Sequence, residues 1–158
     1  MLADTHIRRG SSRRLPDAVY DDLGRADLVL HAGDVLVAEV LDELSGFAPV
    51  RAVLGNNDTE LFDVLPETCL FDVDGVRIGM VHDSGPAAGR AGRLHRRFPD
   101  AEVVVFGHSH IPCDQEGLDG QLLFNPGSPT ERRSQPRHTF GTLDLHGGRV
   151  VARQIHTL

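Results

Sequence analysis

Asp4 with His6, Asp34, Asn56, His82, and His108 with His110 are spread over most of the chain, yet each stands just past an apolar run. They occur in short segments: Asp4-Thr5-His6, Gly33-Asp34, Gly55-Asn56-Asn57-Asp58 and Gly107-His108-Ser109-His110. One such segment alone reads as turn chemistry, because Gly, Asn and Asp tolerate loop dihedrals, and a His-x-His pair by itself only places two imidazoles on one face of a strand. Their shared position after β-type runs is what argues for one site. Donors delivered from the ends of successive strands assemble a two-metal hydrolytic centre, so a metal-dependent phosphoester hydrolase is the leading expectation. A carboxylate between two cations bridges them at about 3.5–4 Å, and Asp34 is the expected bridge. Two divalent ions are expected, manganese first, although imidazole and carboxamide donors suit borderline first-row metals generally and are equally compatible with iron, nickel or zinc. Coordinated water, its pKa lowered toward about 7, is the expected nucleophile.

The positioning elements follow from periodicity. Residues 15–23 and 37–44 carry apolar positions at helical spacing between the apolar runs 28–30 and 50–54, a βαβ pattern. Beyond residue 68 the runs 70–73 and 76–81 flank Asp74-Gly75, a dipeptide that favours a tight hairpin. Residues 88–98 predict a third helix, weakened by Gly89 and Gly92, ahead of a short buried strand at 103–106. Asp119-Gly120 separates 115–118 from 121–124, and Gly147-Gly148 separates 139–145 from 149–154, so two more hairpins are expected. The sum is an α/β fold with two sheets, one partly parallel and one mostly antiparallel, packed face to face under helices. Only Met1, Leu2 and Ala3 precede Asp4, so the first strand is expected to be a stub or to continue upstream.

With 158 residues the chain is expected to form a single domain over positions 1–158. A formal net charge of -7 argues against a general nucleic-acid or membrane-binding surface, and all 16 basic residues are Arg. No apolar stretch reaches the roughly 20 residues that span a bilayer, and no signal-peptide pattern opens the chain, so a cytoplasmic location is expected. Cys69 and Cys113 lack zinc-type spacing and read as small buried hydrophobes.

The order Asp-x-His, Gly-Asp, Gly-Asn-x-Asp, a lone His and Gly-His-x-His covers nearly the whole chain and resembles the calcineurin-like metallophosphoesterase superfamily. The small size and Asn125-Pro126-Gly127-Ser128 resemble its small bacterial and archaeal phosphodiesterase branch, which includes the retromer scaffold subunit. The resemblance implies an α/β, four-layer αββα sandwich with two mixed β-sheets flanked by helices. It implies one metal on Asp4, His6 and His110, another on Asn56, His82 and His108, and Asp34 bridging them. The implied activity is phosphodiester hydrolysis by a dinuclear metal-bound hydroxide, with Asp34, Asn57 and His82 as the catalytic set. Asn57 is a departure, since many members carry there a His that stabilises the transition state or protonates the leaving group; Asn cannot deliver a proton. Asp83 stands where the branch usually has Gly. Two alternatives remain. One is a phosphomonoesterase, which needs more positive charge to hold a dianionic phosphate; the other is a protein-interaction scaffold with a vestigial metal site.

Among the remaining polar residues, His31 reads as a hydrogen-bonded structural group, Thr5 as a support to the ligands, and Asp58 as an organiser of the Asn56 loop. Arg8, Arg9, Arg13 and Arg14 follow the first ligands directly and are either substrate-phosphate contacts or a solvated basic loop. Arg132 and Arg133 are similar candidates. His95, His138, His146 and His156 fall away from the strand ends and read as surface residues. The expected partner is a small phosphoester or nucleotide-like substrate, with no membrane partner and with homo-oligomers compatible.

Overall fold

A computed structural model describes residues 1–158. The helices are α1 (Asp17–Leu23), α2 (Ala38–Ser45) and α3 (Arg90–Arg97). The strands are β1 (Val29–His31), β2 (Val50–Ala52), β3 (Thr68–Val73), β4 (Val76–Val81), β5 (Val103–Val105), β6 (Cys113–Glu116), β7 (Leu122–Asn125), β8 (Thr139–Leu145) and β9 (Val150–Thr157). No helix is long and apolar enough to cross a membrane.

The short N-terminal stub joins what would otherwise be two separate ribbons. Leu2 bridges His31 in parallel, with Leu2 N donating to Leu30 O at 2.8 Å and Ala32 N to Leu2 O at 2.8 Å. On the other side Met1 N donates to Gly141 O at 2.6 Å and Gly141 N to Met1 O at 3.1 Å. The first sheet therefore runs β2, β1, stub, β8, β9, with β1 and β2 parallel and β8 and β9 antiparallel. The second sheet has the order β3-β4-β5-β7-β6, parallel through β4, β5 and β7 and antiparallel at both edges. Both sheets are thus mixed. The division into one partly parallel and one mostly antiparallel sheet is corrected, because each hairpin attaches to a parallel strand that local sequence signals do not reveal.

Three apolar layers separate four layers of structure. Leu15, Val19, Leu23, Val40 and Leu44 of the α1 and α2 segments pack with Val29 and Phe140 on the outside of the first sheet. Leu30, Ile78, Met80, Val103, Val105, Leu122 and Phe124 fill the space between sheets. Val81, Val104, Phe106 and Leu123 meet Leu94 and Phe98 of the α3 segment. Successive residues of a strand face opposite ways, so Val103, Val104, Val105 and Phe106 alternate between two cores; a strand buried on both faces reads as an unbroken apolar run.

Turn chemistry closes the hairpins where it was expected, with some boundary shifts. Asp74 and Gly75 both take positive φ, +47° and +79°, the geometry that lets a two-residue turn follow the strand twist. The β6 strand starts at Cys113, earlier than its sequence pattern indicates, because the turn reaches back to Gly117, whose N donates to Gln121 O at 2.7 Å. The β9 strand extends to Thr157, paired opposite Thr139.

Candidate metal centre

The parallel strands place their carboxyl ends together, the edge at which open α/β sheets bind ligands. Asp4 and His6 follow the stub, Asp34 follows β1, Asn56 follows β2, His82 follows β4, and His108 and His110 follow β5. Asp4, His6, Asp34, His108 and His110 all have positive φ, between +45° and +66°. Left-handed backbone costs a non-glycine residue roughly 1–2 kcal/mol, so these turns persist only where the surroundings enforce them, as at functional sites.

The enforcing contacts can be named. Asp4 N donates to Gly33 O at 2.9 Å and His6 N to Asp34 O at 3.0 Å, lashing the first loop to the second. Asp58, only 2% exposed, accepts from Asp34 N at 2.9 Å, Leu36 N at 2.7 Å and Gly55 N at 2.7 Å. This fits the organising role expected for it and extends that role to the Asp34 loop. Ser128 Oγ donates to Asp4 O at 2.7 Å, and Asn125 Nδ2 donates to Gly107 O at 3.0 Å, so the Asn125–Ser128 turn braces both ends of the centre. Gly107 N in turn donates to His82 O at 2.9 Å.

Close approach explains the glycines. A Cβ on Gly55 would lie 2.1 Å from Asp34 N and 2.3 Å from Asp34 Oδ1, and one on Gly33 would lie 2.6 Å from His82 Nδ1. Gly55→Ala is therefore expected to push Asp34 out of place: metal bound per chain, measured by elemental analysis after dialysis, should fall to less than half. Unchanged metal content would show that the Asp34 loop can yield without loss.

The structure brings all seven expected ligands to one place. His6 Nε2 and His110 Nε2 are 3.3 Å apart, and Asp4 Oδ1 is 3.4 Å from His110 Nε2. Asn56 Oδ1 lies 3.0 Å from His82 Nε2 and 2.9 Å from His108 Nδ1. Asp34 Oδ2 sits between the halves, 3.4 Å from His6 Nε2 and 3.5 Å from His82 Nε2. Asn57 is placed as a holder of Asp34, its backbone N donating to Oδ1 at 2.8 Å and its Nδ2 to Oδ2 at 2.7 Å.

Two imidazoles have fixed orientations. His82 Nδ1–H donates to Ala32 O at 2.7 Å and His110 Nδ1–H to the Glu131 carbonyl, which turns each Nε2 inward. Outward hydrogen bonds of this kind set the tautomer of metal-binding histidines. Glu131 had no sequence signal, since it acts through its main chain. His31 is fully buried, with its Nε2 3.1 Å from Thr5 Oγ1, and stays outside the ligand cluster.

The electrostatics describe a pocket built for positive charge. Burial pushes the Asp4 carboxyl up to about 7, with the charge of Asp34 adding and that of His82 opposing. Burial alone would raise Asp34 too, but bonding from His82 and Asn57 holds it below the usual carboxylate range. Burial draws His110 down to about 4 and lowers His6. It would lower His82 as well, but the neighbouring Asp34 and Asp4 raise it overall. Asp4 Oδ2 is buried without any hydrogen-bond partner. Such an orphaned carboxylate oxygen costs free energy unless a cation meets it. Inward-facing imidazole nitrogens set against the acceptor Asn56 Oδ1 also lack a shared donor, unless a proton or a metal lies between them. Two sets of ligand atoms, from Asp4, His6 and His110 and from Asp4, Asp34 and His82, each lie within 4.8 Å of one another. The residues present fit divalent cations.

The arginines of the first loop are differently occupied. Arg9 pairs with Glu39 at 2.7 Å and Glu60 at 3.2 Å, and Arg14 with Asp17 at 2.9 Å. Arg13 stays near the centre, donating to His6 O at 3.1 Å, but it also pairs with Glu131 at 2.7 Å. Arg8 is exposed. Arg133 is the guanidinium with the clearest link to the ligand set: its Nη1 donates to His108 O at 3.3 Å, and its charge acts on Asp4, His6 and His110. Of the remaining histidines, His95 lies 3.4 Å from Asp119, and His156 stacks on Phe140 with centroids 4.5 Å apart.

Known proteins are similar to this chain. A probable metallophosphoesterase of Methanothermobacter thermautotrophicus is 36% identical over 159 residues, covering 99% of this chain and 91% of that protein. A second, from Methanocaldococcus jannaschii, is 36% identical over 137 residues, 84% of this chain and 68% of the other. Vps29 from Entamoeba histolytica, solved in complex with zinc, has the same fold, with a TM-score of 0.78 at 23% identity and coverage of 99% and 96% of the two chains. The model of the calcineurin-like phosphoesterase superfamily domain matches residues 1–148, a span that takes in every ligand position described above, and the chain belongs to that superfamily.

Proposed function

We propose that the chain is a phosphodiesterase that works with two divalent cations, manganese by preference. One observation carries this reading: seven donors converge, two of their imidazoles are locked with Nε2 facing inward, and a buried Asp4 oxygen waits without a partner. Asp4, His6 and His110 would hold one cation and Asn56, His82 and His108 the other, with Asp34 shared between them. Bound there, the cations would supply Lewis acidity toward a phosphoryl oxygen and make coordinated water acidic enough to react near neutral pH. The chain supplies orientation. Asn57 fixes both oxygens of Asp34, and the Ala32 and Glu131 carbonyls fix two imidazole rings. Arg133 offers a guanidinium at the rim for a non-bridging phosphate oxygen.

Charge favours a diester over a monoester. Arg9, Arg13 and Arg14 pair with carboxylates at 2.7–2.9 Å, whereas Arg133, which bonds to His108 O, has only a 4.0 Å contact to Glu131; one such guanidinium beside the ligand set suits the single negative charge of a diester. A bis-aryl phosphodiester is expected to be hydrolysed at least tenfold faster, in kcat/KM, than the matching aryl monoester in the presence of manganese. The reverse order would make the protein a phosphomonoesterase. A binding platform with a vestigial site is disfavoured because every ligand position holds a competent donor; absence of hydrolysis by manganese-loaded protein would reinstate it.

A further inference from the structure

The α3 helix is half arginine, and its charge is uncompensated in a chain of net charge -7. None of Arg90, Arg93, Arg96 and Arg97 has a carboxylate partner. Arg90 lies over the Phe106 ring at 4.9 Å. Arg93 is spent on the preceding loop, donating to Ser84 O at 3.2 Å, Ala88 O at 2.8 Å and Pro86 O, which holds that loop against the helix. Arg96 and Arg97 are exposed and free. Between loop and helix lies an open cavity of about 500 Å³ lined by Asp83, Ser84, Gly85, Arg93, Arg96 and Arg97.

The cavity begins one residue beyond the candidate ligand His82. Two residues of extended chain span at most roughly 7 Å, so the Ser84 backbone lies within that reach of the His82 backbone, on the loop that leaves the ligand-bearing end of β4. The only acid on its wall, Asp83, is already engaged, with Oδ1 accepting from Gly85 N at 2.7 Å. Ser84 Oγ has only a long contact, 3.4 Å, to Gly85 O and keeps donor capacity. Planar guanidinium groups beside a hydroxyl match the oxygens of a phosphate group.

We infer that this cavity is a second phosphate subsite, which receives a further phosphate of the substrate while the scissile diester sits at the metal centre. The inference rests on the phosphodiesterase reading and deepens it: the substrate class is a small phosphodiester that carries at least one more phosphate, such as a short oligonucleotide with a terminal phosphate. Arg96 and Arg97 are the specificity-determining residues.

The test compares a dinucleotide bearing a 5′-phosphate with the same dinucleotide lacking it, on the full-length metal-loaded protein and on Arg96→Gln/Arg97→Gln. Binding is followed by amide chemical shifts of Gly85 and residues 93–97 and, separately, hydrolysis by KM and kcat. A charge-assisted pair of contacts predicts about tenfold tighter binding of the phosphorylated form by the natural sequence. The preference should vanish in the variant, while hydrolysis of a bis-aryl phosphodiester stays unchanged. Equal binding of the two dinucleotides by the natural sequence, or a preference that survives in the variant, overturns the subsite. Preferential binding without any hydrolysis of either dinucleotide or the aryl diester would instead sink the phosphodiesterase reading and leave the subsite standing.

Discussion

Asp34→Asn is expected to leave the fold intact and to lower metal-dependent hydrolysis by roughly three orders of magnitude or more. The substitution is nearly isosteric, and Asn tolerates the +57° φ of this position better than Ala would, so backbone strain is not the variable being changed. Charge is. Asp34 Oδ2 lies between His6 Nε2 and His82 Nε2 at 3.4 and 3.5 Å, closer to both halves of the cluster than Asp4 Oδ1, which is 3.9 and 4.0 Å from the same two atoms. A neutral amide there offers a weaker donor and removes the charge that two cations would share. Metal-ion catalysis is worth several kcal/mol, and each 1.36 kcal/mol is a factor of ten in rate. Elemental analysis should show fewer than two metals per chain, and circular dichroism should be unchanged. Full activity in Asp34→Asn would refute the shared position of Asp34 and with it the two-cation reading.

Much of this centre was legible in sequence because its ligands follow apolar runs, and the ends of buried parallel strands are where such runs stop. Asp4, Asp34, Asn56, His82 and His108 needed only that rule to be grouped. The glycines at 33, 55 and 107 were visible as turn residues, but their reason was not: each gives room for a main chain or side chain from a distant segment. The supports were harder to see. Ala32 and Glu131 act through carbonyl oxygens, and a carbonyl has no sequence identity. The arginine-rich loop shows the opposite case. Arg9 and Arg13 have the right chemistry for phosphate and the right position in the chain, yet Glu39, Glu60 and Glu131 reach them from elsewhere, while Arg14 pairs locally with Asp17. Ion pairing between segments far apart in sequence carries no periodic signal. The sheet order was hidden for a similar reason, since the pairing of Met1 with Gly141 joins the two ends of the chain.

Asp58 should be the most costly polar residue to remove, although it touches no candidate ligand side chain. Its carboxylate is buried and accepts three backbone N–H groups, from Asp34, Leu36 and Gly55. Two of these donors belong to residues with positive φ, Asp34 and Leu36, so the bonds hold a strained turn and not a relaxed one. Hydrogen bonds to a charged acceptor contribute about 1.5–3 kcal/mol each, and buried donors left unpaired add their desolvation cost. Contributions that share one acceptor do not simply add, so Asp58→Ala is expected to cost about 3–5 kcal/mol of a total stability on the order of 5–15 kcal/mol. Asp58→Asn keeps one oxygen. Placed where Oδ2 now lies, it would serve Asp34 N and Gly55 N and leave Leu36 N facing an NH₂ group, so its cost should be intermediate, about 2 kcal/mol. Urea unfolding of the metal-free proteins measures both, and metal titration should show affinity falling in the same order, because the released turn carries Asp34. Loss of metal affinity without loss of stability would mean that Asp58 acts on the centre directly; loss of neither would show that the Asp34 turn is held by its remaining bonds to His6 and Asn57.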